Sequence, residues 1–297
     1  MKIFDCFMYF DEDLILDLRL NYLNDFVDKF VIVESIYSHN GEERKPQFDI
    51  DKFKKFENKI TYLLIDHHEK DFFSIKDTDK FNEVTGKKIM NALKRENYQR
   101  NFLIKGLLEA TDDDWIIISD LDEIPNLQIN NLRECKNKIV FFKQMMIYYK
   151  LNLCLENFPW IGSKACKKRE LKSPQWLRNI KDRNYPWWRL DIFFSKTKYS
   201  NINIFENGGW HFSYIKSPEN IEKKLKSYLH HAEYEMNPIG IEKISKLIEE
   251  KKAVYNLKVD SRLNKFDQGN KLKKLDLNLL PQYVKDNISI FNDWIEK

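Results

Sequence analysis

With 297 residues, 42% of them apolar and 32% charged, the chain can bury a sizeable core, in one large α/β domain with an appendage or in two smaller ones. A net charge of +4, with Lys and Arg dispersed apart from Lys167-Lys168-Arg169 and Lys271, Lys273 and Lys274, is too small for nucleic acid. At most it favours a phosphorylated substrate or an anionic surface.

Cys6, Cys135, Cys154 and Cys166 show neither C-x-x-C nor zinc spacing and read as reduced thiols. Charge arrives too early for a signal peptide, and no apolar run is long enough to span a bilayer. The sequence therefore predicts a cytoplasmic protein, peripheral to a membrane at most.

Residues 3–10 are apolar and aromatic, a first strand. Asp11-Glu12-Asp13 favours a helix N-terminus electrostatically, and a helix is expected over 13–24 with Leu14, Leu18 and Leu20 buried. Phe30-Val31-Ile32-Val33 is a second buried strand, ending in Glu34-Ser35. The opening is thus β-α-β, the unit of a parallel sheet. Ser38-His39-Asn40-Gly41 reads as a loop and Tyr62-Leu63-Leu64-Ile65-Asp66 as a third strand. A polar stretch over 66–88, expected to be a loop over the site, leads to a helix over 88–110. On that helix Glu96 and Arg100 stand at i and i+4, an ion pair of less than about 1 kcal/mol if exposed. The alternative is that Arg100 points at a phosphate or carboxylate near the next strand end.

That strand is Trp115-Ile116-Ile117-Ile118, and at its end comes Ser119-Asp120-Leu121-Asp122-Glu123-Ile124-Pro125. A buried strand that gives way to carboxylates and a proline places acids where open α/β sheets bind ligands. In a turn Asp120 and Asp122 can converge on one hard cation, Mg²⁺ or Mn²⁺, which in turn holds phosphate oxygens. The plainer alternative is an acidic loop that solvates a strand end.

Farther along, 139–142 and 145–150 read as strands, Trp160-Ile161-Gly162-Ser163 as a turn, and Arg189-Leu190-Asp191-Ile192-Phe193-Phe194 as another strand. Trp176, Trp187 and Trp188 are either core or a platform for a sugar face. Gly208-Gly209 permits a tight bend that aims Trp210 and His211, the latter either packed or a ligand. Ser217-Pro218-Glu219 starts a helical region with amphipathic helices over 221–234 and 239–255. A polar loop is expected over 256–276 and a short strand or helix over 281–295. A boundary near 216 divides a catalytic body, 1–216, from a helical cap, 217–297.

Three stretches, taken together and in order, resemble glycosyltransferase family 17. They are Asp5-Cys6-Phe7 through Arg19-Leu20 with Val31-Ile32-Val33-Glu34-Ser35, then Gln99-Arg100 ahead of Ser119-Asp120-Leu121-Asp122-Glu123-Ile124-Pro125, then Gly209-Trp210-His211-Phe212-Ser213. The resemblance implies a GT-A-like, Rossmann-type catalytic domain with a mostly parallel sheet. It implies β-1,4-N-acetylglucosaminyl transfer from UDP-GlcNAc to a glycan with Mn²⁺ or Mg²⁺. Asp122 would then bind the metal, Asp120 the ribose or the metal through water, and His211 the metal or diphosphate. Glu34 would read the nucleoside and Arg100 the donor.

The resemblance also implies inversion at the anomeric carbon, which needs a group that takes the acceptor proton. Asp191, set in an apolar strand pattern where desolvation would raise its pKa, is the first choice, and Glu206, against the glycine bend, the second. The Asn-, Lys- and Ile-rich composition fits an AT-rich genome and a capsular, lipopolysaccharide or other surface-glycan acceptor. Two other readings stay open. A haloacid-dehalogenase-type phosphatase also carries D-x-D after an apolar strand, though it wants Thr or Ser after the second Asp and a place near the chain start. A non-catalytic nucleotide-sugar-binding module would keep the fold without turnover.

Overall fold

Runs of β-branched and aromatic residues lay down the centre of the molecule as strands. In the computed structural model, which describes residues 1–69, 71–228, 231–254 and 269–297, β1 (Ile3–Met8), β2 (Lys29–Ser35), β3 (Ile60–Ile65) and β4 (Trp115–Asp120) lie parallel in the order β3-β2-β1-β4. Their side chains alternate between two apolar layers. Ile3, Phe7, Trp115 and Ile117 face one way, with α1 (Asp13–Leu23) packed over them. Phe4, Cys6, Ile116 and Ile118 face the other, towards the end of α2 (Phe81–Phe102) and α3 (Pro174–Asn179). Strands buried on both faces need continuous apolar runs, which is why β1, β2 and β4 were legible, while β3, at the sheet edge, is apolar but only half-buried.

Beyond β4 the sheet changes character. β5 (Glu123–Pro125), β6 (Ile139–Tyr148), β7 (Leu153–Cys154), β8 (Trp160–Lys167), β9 (Ile202–Ser213) and β10 (Lys273–Lys274) complete ten strands among the described residues. β8 pairs antiparallel with β4 and β6, β7 with β6 and β10, and β5 with β9, while β6 and β9 run parallel. The parallel sheet expected from the opening is therefore the N-terminal half of a mixed sheet.

Several local expectations give way. The helix expected over 88–110 begins earlier, at Phe81, where the Glu83 carboxylate accepts from the Lys80 N–H, and it ends at Phe102. Residues 160–163 open strand β8 instead of forming a turn. The strand expected over 189–194 is a short surface helix, α4 (Asp191–Phe194). The two strands expected over 139–142 and 145–150 are one strand, Ile139–Tyr148, with a bulge after Phe141.

After residue 216, α5 (Pro218–Ser227), capped by Ser217, α6 (His231–Met236) and α7 (Gly240–Glu249) form the helical part, with Ile221, Leu225, Ile244 and Leu247 packed on Tyr148 and Leu153. Most of the polar loop expected over 256–276 lies outside the described residues. The final segment returns to the sheet. β10 joins β7, Trp210 donates to the Leu279 carbonyl (2.8 Å), and Leu280, Val284 of α8 (Gln282–Asp286) and Phe291 fill the layer built on α1. Among the described residues no helix is long and apolar enough to cross a membrane.

Candidate active site

The carboxyl ends of β1, β2 and β4 open onto a cavity of about 450 Å³, the place where this class of sheet binds ligands. Its floor is the turn carrying Asp120 and Asp122, and that turn is fixed from below. Arg19, fully buried on α1, forms a two-pronged pair with Asp5 of β1 (2.6 and 2.8 Å) and donates to the carbonyls of Asp120, Leu121 and Glu123 (3.1, 2.9 and 2.7 Å). Glu123, also fully buried, accepts from the Asp120 N–H (2.9 Å), the Trp160 indole (2.8 Å) and Arg178 (2.6 Å). Phe212 N–H on β9 closes the turn on the Asp122 carbonyl (2.8 Å).

Each acid on the floor faces a cation. Asp120 lies 3.0 Å from Arg100 and 3.2 Å from Arg178. Burial would raise its pKa, but the two guanidiniums hold it down at about 2. Asp122 lies 3.3 Å from Lys224 and 3.5 Å from His211 Nε2, and these hold it well below the usual carboxylate range against burial. Burial alone would lower the pKa of His211, yet Asp122 raises it. Lys224 also reaches Glu12 (3.2 Å), and Lys216 stands 3.5 Å from the same oxygen. Glu12 is thereby held at about 2 despite its burial.

Of the residues singled out in the sequence, Asp120, Asp122, Arg100 and His211 meet at this cavity. Three do not. Glu34 is sealed beneath β2, where its oxygens accept from Arg44 (2.8 Å), the Gln47 and Phe48 N–H groups and Tyr62. It anchors the segment that brings Arg44 to the cavity instead of facing it itself. Asp191 lies on surface helix α4, half-exposed and paired with Arg189 (2.8 Å) and Lys198 (2.7 Å). Hydrogen bonds from those two lower its pKa to about 2, so the desolvation argument for it fails. Glu206 is exposed on β9, paired with Lys143 (2.7 Å), outside the cavity. Trp187 and Trp188 are exposed too, and Trp176 packs edge-on against Tyr199. The Gly208-Gly209 bend is a bulge within β9, and it sets His211 opposite Glu123. Arg178 and Lys224 have no local motif that marks them as site residues, and Glu12 and Trp160, which read in the sequence as a helix-start acid and part of a turn, join the site only in the fold.

Among the described residues no three His, Cys, Asp or Glu side chains converge as a cation site. Asp122 and His211 do converge, and the Nδ1 of His211 is buried without a hydrogen-bond partner. One carboxylate and one imidazole suit a hard cation that takes its remaining ligands from substrate phosphate and water. Asp120 is instead committed to two arginines. No curated protein matches the sequence. The sequence model of glycosyltransferase family 17 matches residues 1–292, nearly the whole chain including every strand and every cavity residue described above, and the protein belongs to that family.

Proposed function

We propose that the enzyme transfers N-acetylglucosamine from UDP-GlcNAc to a hydroxyl of a glycan, with inversion at the anomeric carbon. The observation that carries this reading is the charge layout of the cavity. Arg100, Arg178 and Lys224 converge beside an Asp122–His211 pair at the strand ends. A departing nucleoside diphosphate gathers negative charge, and fixed cations placed where it develops stabilise the transition state. The choice of sugar and nucleoside comes from the family resemblance. The cavity end formed by Phe10, Tyr37 and His39, beside Arg44, suits a base and ribose.

Asp122 and His211 would hold Mn²⁺ or Mg²⁺, which when bound supplies further positive charge to the diphosphate. Lys224, drawn from Asp122 and Glu12 towards the incoming phosphates, carries its ammonium to the leaving group. Once Lys224 leaves, Glu12 loses one of the charges that keep its pKa low and becomes a stronger base. Glu12 faces the cavity and takes the acceptor proton, a role its position supports better than those of Asp191 and Glu206.

A screen of nucleotide sugars by thermal shift, with and without Mn²⁺, followed by an assay of UDP release, tests the reading. UDP-GlcNAc should stabilise the fold, by about 2.7 kcal/mol at 100 times its dissociation constant. Asp122→Asn should lose turnover while still folding cooperatively, with a melting temperature lowered by the loss of its pairs with Lys224 and His211. Wild-type turnover by Asp122→Asn in the presence of EDTA would overturn the metal assignment. Binding of the donor without turnover on any glycan would favour a binding module.

A further inference from the structure

The segment between α3 and β9 carries an apolar surface that the fold leaves uncovered. Trp187, Trp188, Leu190, Phe193 and Phe194 are 76%, 67%, 76%, 74% and 91% exposed. Single exposed apolar side chains are ordinary, but five within eight positions of one short segment, four of them aromatic, are of the kind that marks an interaction surface. The segment is tied down at its base. Lys181 N–H donates to the Thr197 carbonyl (2.8 Å) and Tyr185 N–H to the Tyr199 carbonyl (3.0 Å), while the Tyr185 ring is buried beneath Arg183, Arg189 and Lys198.

The charge flanking the tip, at the base of the segment, is of one sign in effect. The acid within it, Asp191, is neutralised by Arg189 and Lys198, and Asp182 is paired with Lys164 (2.7 Å). Lys181, Arg183 and Lys196 are exposed and have no ion-pair partner among the described residues. Tryptophan and phenylalanine flanked by unpaired lysine and arginine are the chemistry of an interfacial membrane anchor: the rings enter the headgroup–acyl boundary while the cations meet anionic headgroups.

We propose that residues 186–194 dock this enzyme on the surface of an anionic phospholipid bilayer. The charge complementarity of the flanking cations selects the occupant, since a sugar face or a second copy of a chain of net charge +4 would not call for unpaired cations at the base of an apolar tip. The anchor lies in the same connection as α3 (Pro174–Asn179), whose Gln175 and Arg178 line the cavity, so docking tethers the cavity wall to the bilayer through a short stretch of chain.

Flotation of the full chain with vesicles of phosphatidylcholine, with and without phosphatidylglycerol, tests this. The wild type should bind the anionic vesicles, bind the neutral ones weakly, and be released by raised salt. Combining Trp187→Ser, Trp188→Ser, Phe193→Ser and Phe194→Ser should lower vesicle binding by about tenfold or more. Combining Lys181→Gln, Arg183→Gln and Lys196→Gln should remove the preference for phosphatidylglycerol. Melting temperature and UDP-sugar affinity should stay unchanged in both variants, so failure here is distinguishable from failure of the catalytic reading. Absence of wild-type binding would overturn the proposal. So would a wild-type dimer that the serine variant splits without any vesicle binding, or full vesicle binding by the serine variant with lost turnover on a soluble glycan.

Discussion

At the scale of single residues, the deepest commitment in the molecule is Arg19. A guanidinium sealed from water must spend its hydrogens on fixed acceptors, and this one does so on Asp5 and three carbonyls of the acidic turn. Removing it strands the Asp5 carboxylate in the core, so Arg19→Met should lower unfolding stability by about 3–5 kcal/mol in urea titrations. The acids sort by the same logic. Asp191→Asn and Glu206→Gln should keep turnover near the wild-type rate, because both acids are already satisfied at the surface. Glu12→Gln should lose about 10²-fold or more with UDP-sugar affinity within severalfold. Equal losses in all three would remove Glu12 from its role. Asp120, Asp122 and Arg100 were legible because a buried strand, an acidic turn and a helix face each leave a local pattern. Lys224 and Arg178 were not, since they reach the turn from 102 and 58 positions away and look locally like surface charges.

At the scale of elements, β9 shows how one residue type sets a register. Gly209 has φ +124°, and a Cβ there would come within 2.1 Å of the Ile124 carbonyl oxygen. Only glycine passes so close to β5, and this contact seats Trp210 and His211 opposite Ile124 and Glu123. Gly209→Ala should therefore cost about 2–3 kcal/mol and also reduce turnover, because His211 shifts with the strand. A variant with lowered stability and unaltered turnover would show that the bulge serves packing alone. β8 escaped the sequence reading because Lys164 interrupts its apolar face. Its ammonium is buried on the carbonyls of Arg178 (2.8 Å) and Ile180 (2.5 Å), a solution no local pattern announces. In α4 the failure was opposite: an apolar run that normally signals burial stands in solvent.

At the scale of the whole molecule, the parallel half of the sheet was readable from its continuous apolar strands. The mixed half was less so, because its strands carry polar residues or are only two or three residues long, and they pair across long separations. The family match extends over both halves. Phe291 is fully buried in the layer that also holds Ile15 and Leu16 of α1, so Phe291→Ala should destabilise by about 3–5 kcal/mol, as measured by denaturant unfolding. A loss under about 1 kcal/mol would mean that this segment rests on the body without supporting it. The same closure has a consequence for biogenesis. Helix α1 waits with part of its apolar face open until residues 280–291 have left the ribosome, so the nascent chain exposes a sticky surface while the residues between them are made. Its yield should therefore respond to translation speed, and to chaperones that shield apolar surface, more than its final stability implies.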